Sequence, residues 1–281
     1  MKKILALLFA LTMAVSLCAC GSAPAEEEAA PAEDAAAETV TLKVAATPIP
    51  HAEVLYQVVD VLAEQGIDLQ VTEYSDYVVP NTAVEEGDMD ANYFQHTPYL
   101  DQFNEENGTH LVSVAPVHFE AMGIYGGITT AIEELPDGAK VAVPNDATNE
   151  ARALQLLAAQ GLIEIDPAAG LKATPNDITS NPKNIQFMEL EAAMLPQTVE
   201  EVNLSVINSN YALEAGLNPA EDALAAEDSA SEAAQTFANI VVVKEGNEEN
   251  PAIQALVAAL QSDAVRDFIN ETYSGAVVPM F

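Results

Sequence analysis

The feature that most constrains the fold of this chain is an alternation of strand and helix patterns that begins at Val40 and runs twice along the sequence. Val40, Leu42 and Val44 alternate with polar residues, as in a half-buried strand. A helix is predicted from Pro48 to about Gln65. Further strands are predicted at 67–71, 89–94, 111–119, 121–125, 140–143, 184–188, 203–207 and 240–244, with a helix at 147–160 and others near 97, 209, 251 and 262.

Strands that alternate with helices favour an α/β fold with a parallel or mixed sheet. A weak break at Tyr125-Gly126-Gly127-Ile128 separates the two runs of alternation. The simplest assembly is therefore two α/β lobes with a cleft between them. Ligands of such sheets bind beyond the carboxyl ends of the strands. This rule selects 93–96, 144–152 and 208–211 as cleft residues.

The N-terminus has the pattern of an export signal that ends in a lipid attachment site. Lys2 and Lys3 precede an apolar run over residues 4–17, which is too short to span a bilayer. The run ends at Leu17-Cys18-Ala19-Cys20-Gly21, which matches a bacterial lipobox with Cys20 as the acylated residue. The alternative is an ordinary signal peptide with chance cysteines.

We therefore predict a signal peptide over 1–19 and a tether over 20–38 that begins at the lipidated Cys20. The tether consists of small residues, Glu and Pro, which cannot bury a core, and we expect it to be disordered. The predicted location is the cell membrane, with the folded part lipid-anchored and facing outside the cytoplasm.

The formal net charge of −35 excludes nucleic acid as a partner and makes each cation informative. The chain has two arginines. Arg152 is predicted in or near the first turn of the helix after 140–143, where an anion would gain free N–H groups and a bidentate pair. The alternative is a surface pair with Glu150 or another nearby carboxylate. Arg266 lies between acidic residues on an amphipathic helix and is predicted to face solvent.

Two groups of uncharged residues are candidates for the walls of a binding site. Tyr93, Phe94, His96 and Tyr99 could pack in the core or line a pocket for an apolar or thioether side chain, and Tyr77 could extend that wall. Asn208, Asn210 and Asn239 flank predicted strands. Their amide oxygens could accept hydrogen bonds from an ammonium group, or they could cap helices and form turns.

Catalytic and metal-binding patterns are weak by comparison. The sequence contains no HExxH, no G-x-S-x-G, no P-loop and no G-x-G-x-x-G, and no cysteine after Cys20 could act as a nucleophile. Three of the four histidines, His51, His96, His110 and His118, could converge as zinc ligands together with Glu53 or Asp90. We expect a binding protein without catalytic residues, cofactor or metal.

Several long motifs, in order, resemble the NlpA/MetQ-type methionine-binding lipoproteins of ABC importers. The motifs are Ala46-Thr47-Pro48-Ile49-Pro50-His51-Ala52-Glu53, Tyr77-Val78-Val79-Pro80-Asn81-Thr82-Ala83, Asp90-Ala91-Asn92-Tyr93-Phe94-Gln95-His96, the run from Pro144 to Leu154, Glu189 to Pro196, Ile207 to Leu217, Phe237-Ala238-Asn239-Ile240 and Tyr273 to Pro279. The resemblance covers nearly all of residues 40–281.

The resemblance implies a two-lobed periplasmic-binding-protein fold, with lobe one formed by 39–125 plus 241–281 and lobe two by 126–240. It implies a monomer that binds methionine or a close relative and delivers it to the permease and ATPase subunits of an ABC importer. A metal-binding lipoprotein of an importer and a surface-structural lipoprotein without ligand are the alternatives.

The resemblance also assigns roles to eight residues. It places the ligand carboxylate on Arg152 and the amino group on Asn239, and either Asn208 or Asn210 assists. The residues that it assigns to the side-chain pocket are Tyr77, Tyr93, Phe94 and His96.

Overall fold

The computed structural model describes residues 39–281. The predicted signal peptide, the lipidation of Cys20 and the tether up to residue 38 lie outside the described residues. Within 39–281, no helix combines the length and the apolar composition that a bilayer crossing requires.

The first lobe is built on a six-stranded mixed sheet. Its strands in chain order are β1 (Val40–Ala46), β2 (Ile67–Glu73), β3 (Ala91–His96), β4 (Leu111–Glu120), β12 (Ala238–Lys244) and β13 (Val277–Pro279). They lie in the order β13-β4-β12-β3-β1-β2. β1 pairs in parallel with both β2 and β3, and β12 runs antiparallel to β3 and β4.

Helices cover this first sheet. They are α1 (Glu53–Tyr56), α2 (Val59–Ala63), α3 (Val79–Glu86), α4 (Thr97–Asn107), α9 (Pro251–Leu260) and α10 (Asp263–Tyr273). The helix predicted from Pro48 to Gln65 is instead a wide turn over Pro48–Ala52 followed by α1 and α2. The break falls at Val58, where two consecutive β-branched residues, Val58 and Val59, disfavour continuous helix.

The second lobe is built on a five-stranded sheet. Its strands are β5 (Gly123–Gly126), β6 (Lys140–Pro144), β9 (Gln186–Leu190), β10 (Leu204–Ile207) and β11 (Ala225–Ala226), in the order β11-β5-β10-β6-β9. A separate hairpin pairs β7 (Glu164–Ile165) with β8 (Ile178–Ser180). The helices are α5 (Ala147–Ala159), α6 (Leu195–Thr198) and α7 (Ser209–Glu214), and α8 (Glu232–Thr236) lies between β11 and β12.

Two separate sheets with flanking helices confirm the prediction of a two-lobed α/β fold. Each sheet has its own apolar core. Val44, Leu55 and Val241 are fully buried in the first, and Val141, Leu154 and Val206 in the second.

The chain crosses between the sheets at other positions than those predicted. The predicted boundaries, at 125/126 and 240/241, fall inside β5 and β12. β5 pairs with β10 and β11 in the second sheet, and β12 pairs with β3 and β4 in the first. The first crossover is therefore at 121–122 and the second within 227–237.

Gly126 and Gly127, which suggested the first boundary, are explained by packing within the second lobe. A Cβ atom on Gly127 would lie 1.8 Å from the carbonyl oxygen of Val199 and 2.5 Å from that of Val202. The backbones of the two segments approach so closely that only glycine fits. This glycine pair marks a close contact and not a hinge.

Candidate functional site

A small cavity lies between the lobes. Its wall contains residues of the first sheet and of helices that follow strands in both lobes. The lining residues are Tyr77, Phe94, Gln95, His96, Tyr99, Glu120, Asn149, Arg152, Asn208, Ser209, Asn210 and Asn239.

The fold explains why residues so far apart in sequence meet here. β3 ends at His96, β4 ends at Glu120, and α5 and α7 follow directly on β6 and β10. β12 runs in the opposite direction, so that its beginning lies at the same edge, and Asn239 pairs in register with His96 and His118. The cavity therefore occupies the edge at which ligands of α/β sheets bind.

Aromatic rings form one wall of the cavity and its mouth. The ring of Tyr77 lies 5.7 Å from that of Phe94, 5.7 Å from that of Tyr99 and 5.0 Å from that of Tyr211, measured between centroids. Tyr77 belongs to the first lobe and Tyr211 to the second. The Tyr77 hydroxyl donates to Asn210 Oδ1 at 2.5 Å, and the Tyr211 hydroxyl donates to the carbonyl of Ser75 at 3.2 Å. These contacts join the lobes at the mouth.

Tyr93 does not line the cavity, contrary to the prediction. Tyr93 and Phe94 are neighbours on β3, but their side chains pack in different apolar clusters of the first lobe. Tyr93 is fully buried in the core of the first lobe, and its hydroxyl bonds to Nδ1 of His118. Its contribution is to a buried polar cluster beneath the cavity.

Arg152 reaches the cavity from α5 and is 4% exposed. Its Nε donates to Glu227 Oε1 at 2.7 Å, and its Nη2 donates to Glu227 Oε2 at 2.5 Å and to the backbone carbonyl of Glu120 at 2.7 Å. The guanidinium lies 4.4 Å from the ring centroid of Phe237. Among the described residues Nη1 has no hydrogen-bond partner. We call Arg152 and Glu227 the arginine end of the cavity.

Two expectations about Arg152 change in this geometry. Arg152 is the sixth residue of α5 and lies in its second turn, so that the unfavourable interaction with the helix dipole is weaker than predicted. The alternative of an ion pair with a nearby carboxylate is realised through Glu227, a residue that is 75 positions away in sequence. The same arginine nevertheless lines the cavity.

Glu120 forms the other charged part of the wall. Its Oε1 lies 2.7 Å from Nε2 of His118 and 3.1 Å from Nε2 of His51. Nε2 of His51 also lies 3.0 Å from Oδ1 of Asn239. The Nδ1 atoms of the two histidines contact the hydroxyls of Tyr93 and Thr47. We call Glu120, His51, His118 and Asn239 the acidic end of the cavity.

At the acidic end, the two histidines supply no positive charge that could compensate an ionised Glu120. Burial lowers the pKa of His51 to about 4 and that of His118 to about 3. Both rings are therefore neutral at physiological pH, and each can donate its Nε2–H to Glu120. Burial raises the pKa of Glu120, and the electrostatic effects of His51 and Arg152 and the hydrogen bond from the Asn210 backbone N–H oppose this rise.

The histidines bear on the metal-binding alternative. His51, His118 and Glu120 each offer an atom within 4.8 Å of the others, and all three are buried. The expected partners Glu53 and Asp90 are elsewhere, because Glu53 accepts from Tyr273 and Asp90 accepts from the Lys43 backbone. His96 is separate, with Nε2 at 3.1 Å from Asn149 Oδ1, and burial and then Arg152 lower its pKa to about 3.

Several buried polar atoms in the cavity wall have no hydrogen-bond partner among the described residues. They are Oδ1 of Asn208, Oγ of Ser209 and Nδ2 of Asn210. Unpaired buried polar groups are rare because each costs desolvation free energy. One acceptor, one amide donor and one hydroxyl thus face the same small space, as expected of a site for a polar ligand.

The structure brings seven of the eight predicted residues to one cavity and leaves out Tyr93. Both Asn208 and Asn210 line the cavity, so their positions do not favour one over the other as the residue that contacts the ligand. Arg266 lies apart, where it pairs with Asp263 on α10. Sequence reasoning missed Glu120 and Glu227, whereas Asn149, Ser209 and Tyr211 lie in the ranges 144–152 and 208–211 that the strand-end rule selected. Asn149, Ser209 and Tyr211 also lie in quoted motifs, whereas nothing near Glu227 in the sequence indicated its role.

Comparisons with known proteins agree with this architecture. The sequence profile of the NlpA lipoprotein family matches residues 42–281. The methionine-binding lipoprotein MetQ of Bacillus subtilis is 38% identical over 284 residues, covering 100% of this chain and 99% of the relative. The solved structure of a nutrient binding protein from Burkholderia cenocepacia bound to methionine is 41% identical, with a TM-score of 0.80 over 85% of this chain and 100% of that one.

A third similar protein is a periplasmic substrate-binding protein of an ABC transporter from Coxiella burnetii. It is 38% identical, with a TM-score of 0.79, and the match covers 85% of this chain and 100% of that one. The family profile spans both lobes and every residue that lines the cavity. The resemblance inferred from the motifs is thus confirmed, and the chain belongs to the NlpA lipoprotein family.

Proposed function

We propose that this protein is the substrate-binding lipoprotein of an ABC importer and that its ligand is methionine or a close relative. The observation that carries the proposal is the pairing of opposite charges in one small cavity. Glu120 suits an ammonium group and Arg152 a carboxylate, and unpaired amide and hydroxyl groups lie in the same wall. This is the complement of an α-amino acid.

The ligand's polar atoms are assigned by the chemistry of the wall. Glu120, Asn208 Oδ1 and Asn239 Oδ1 are acceptors and would bind the ammonium group. Arg152 Nη1, Ser209 Oγ and Asn210 Nδ2 are donors and would bind the carboxylate. Asn208 and Asn210 therefore take opposite roles in this proposal, because the unpaired atom is an oxygen in one and a nitrogen in the other.

The side chain of the ligand would lie against the rings of Tyr77, Phe94 and Tyr99. Thioether sulfur packs favourably against ring edges, and an unbranched chain adapts to a narrow aromatic wall. The methionine-bound relative from Burkholderia cenocepacia and the MetQ protein of Bacillus subtilis support this ligand.

The metal-binding alternative rests on the His51–His118–Glu120 cluster. Every ring nitrogen in that cluster has a hydrogen-bond partner, with hydroxyls at the Nδ1 atoms and Glu120 at the Nε2 atoms. We therefore propose that the histidines hold the Glu120 carboxylate in place for the ligand.

Calorimetric titration of the purified protein with methionine, leucine and glutamate tests the ligand. We expect methionine to bind, and leucine and glutamate to bind at least about tenfold more weakly. A parallel titration with zinc tests the alternative. Tight zinc binding that His118→Gln abolishes, without methionine binding, would contradict the amino-acid proposal.

The anchor and the transport partners belong to the same proposal. Cys20 would carry the lipid, the acidic tether would give the body freedom to reorient, and the permease and ATPase subunits of an importer would receive the ligand. The similar substrate-binding protein from Coxiella burnetii supports the importer assignment. Membrane fractionation of Cys20→Ala, with Cys18→Ala as the matched control, tests the anchor. Retention of Cys20→Ala in the membrane fraction would contradict it.

A further inference from the structure

The two charged ends of the cavity differ in whether their charge is already neutralised. At the arginine end, both oxygens of Glu227 accept from Arg152, so that the pair has no net charge. At the acidic end, Glu120 is surrounded by histidines whose lowered pKa values keep them neutral. Of the described residues that line the cavity, Arg152 alone is a cation.

With Glu120 ionised, as it would be beside a bound ammonium group, the local balance is one positive charge against two negative charges. The positive charge is that of Arg152, and the two negative charges are those of Glu227 and Glu120. These three residues alone give the cavity a net negative charge. Two further carboxyl groups lie close by. Asp146 caps α5 near the mouth, and Glu214 on α7 interacts with Glu120. A net negative cavity attracts a cation more strongly than it attracts a carboxylate.

Glu227 also fixes the position of Arg152. Its Oε2 accepts from the backbone N–H of Met122 at 2.9 Å, and its own N–H donates to the Met122 carbonyl at 3.0 Å. These bonds join the two crossovers between the lobes. The guanidinium is thereby held with Nε and Nη2 toward Glu227, which leaves only Nη1 free for a ligand.

A ligand carboxylate has neutral donors as well, since Ser209 Oγ and Asn210 Nδ2 are unpaired in the same wall. A ligand that lacks the carboxylate would leave a neutral ion pair and two weak donors without a partner. A ligand that lacks the ammonium group would leave a buried carboxylate without a counter-ion, and an uncompensated buried charge is the costlier loss.

From these observations we infer that the ammonium group of the ligand, and not its carboxylate, dominates recognition in this cavity. The inference deepens the proposed function and rests on it. The ligand class would then be primary ammonium compounds with a methionine-sized apolar side chain, including compounds without a carboxylate.

Two analogues of methionine, each with one charged group deleted, provide the test. 3-(Methylthio)propylamine keeps the ammonium group, and 4-(methylthio)butanoate keeps the carboxylate. Calorimetric titration of the wild-type protein with methionine and both analogues is expected to show that the amine binds at least about tenfold more tightly than the acid. An acid that binds as tightly as the amine, or more tightly, would overturn the inference.

The variant Glu227→Gln sharpens the test, because it removes the neutralising charge while its amide oxygen can still accept from Met122. The advantage of the amine over the acid should shrink by about tenfold or more in this variant. Glu271→Gln, the same change at an exposed position on α10, should leave the ratio unchanged. An unchanged ratio in Glu227→Gln would overturn the role of Glu227. Failure of methionine itself to bind would refute the proposed function instead.

Discussion

The arginine end and the acidic end of the cavity differ in how their buried charges are compensated. Each holds a charged side chain away from water, which is costly unless hydrogen bonds or an opposite charge compensate. Arg152 is compensated by a full ion pair with Glu227. Glu120 is held by two neutral histidines, which supply hydrogen bonds but no charge. The complete ion pair holds Arg152 in a defined position, whereas Glu120, which has no counter-ion of its own, favours binding of a cationic group.

The largest expected effect of a substitution is therefore at Glu120. Glu120→Gln keeps the size of the side chain and an oxygen that accepts from the histidines, but it removes the charge and directs an amide toward the ligand ammonium. We expect methionine affinity to fall by about two to four decades, since a buried charge loses its partner. Calorimetric titration measures this, with Glu271→Gln as the matched control. A loss of less than about fivefold would contradict the assigned role of the acidic end.

Removal of the whole arginine ion pair should matter less. In the double variant Arg152→Gln/Glu227→Gln both charges disappear together, so that no unpaired charge remains. We expect methionine affinity to fall by about one to two decades, the range for lost hydrogen bonds to a charged group. Arg266→Gln, on the solvent-facing helix, should have little effect.

The single variant Arg152→Gln should lose more affinity than the double variant, because Glu227 would then repel the ligand carboxylate. Titration of both variants under identical conditions compares them. If the double variant loses more affinity than Glu120→Gln, the ranking of the two ends is wrong.

Acidification should weaken binding through the acidic end. The pKa of Glu120 is raised by burial, so that a falling pH protonates it in the free protein and removes the partner of the ligand ammonium. The histidines around it remain neutral until about pH 4. Affinity should therefore decrease with falling pH, and binding should release protons in that range.

The other groups that face Glu120 set the control for this pH profile. Tyr93 stays protonated because burial raises its pKa, but Glu214 on α7 has a pKa raised by burial to about 7 and titrates in the same range. Titrations at several pH values should show that methionine affinity still decreases with falling pH in Glu214→Gln. In Glu120→Gln this decrease should be lost. If affinity still decreases with falling pH in Glu120→Gln, another group must cause the decrease.

The smallest expected effect is at the mouth. Tyr77→Phe removes the hydroxyl that donates to Asn210 across the lobes but keeps the aromatic wall. One hydrogen bond is worth about 0.5–1.5 kcal/mol, or roughly a two- to tenfold loss of methionine affinity. Calorimetry can resolve this change. A loss as large as that of Glu120→Gln would mean that closure of the lobes, and not charge, limits binding.

The sequence predicted the parts of this site that carry local signals. The rule that ligands bind beyond strand ends selected Phe94, His96, Arg152, Asn208 and Asn210, and all of them line the cavity. The same rule also selected Tyr93, whose side chain packs in the core of the first lobe instead. The family motifs added Tyr77 and Asn239, which no periodicity indicated.

The remaining parts depend on distances that a sequence does not contain. Glu120 and Glu227 are two of 44 acidic residues, and no pattern distinguishes them from solvated ones. Their roles follow from contacts with Arg152 and with histidines on other elements. The lobe boundary was misplaced for a similar reason: the glycines at 126–127 indicated a break between the lobes, whereas Gly127 allows the close approach of 199–202.

The position of Glu227 has a consequence for how the lobes would move. Glu227 joins the two crossovers, and Arg152 bonds both to it and to the end of β4, so the charged ends of the cavity lie beside the pivot. Points near a pivot travel least during rotation, whereas Tyr77 and Tyr211 at the mouth travel farthest. The ammonium and carboxylate groups of an arriving amino acid would thus bind to residues that hardly move. Its side chain would be enclosed last, when closure brings the rings of Tyr77 and Tyr211 together.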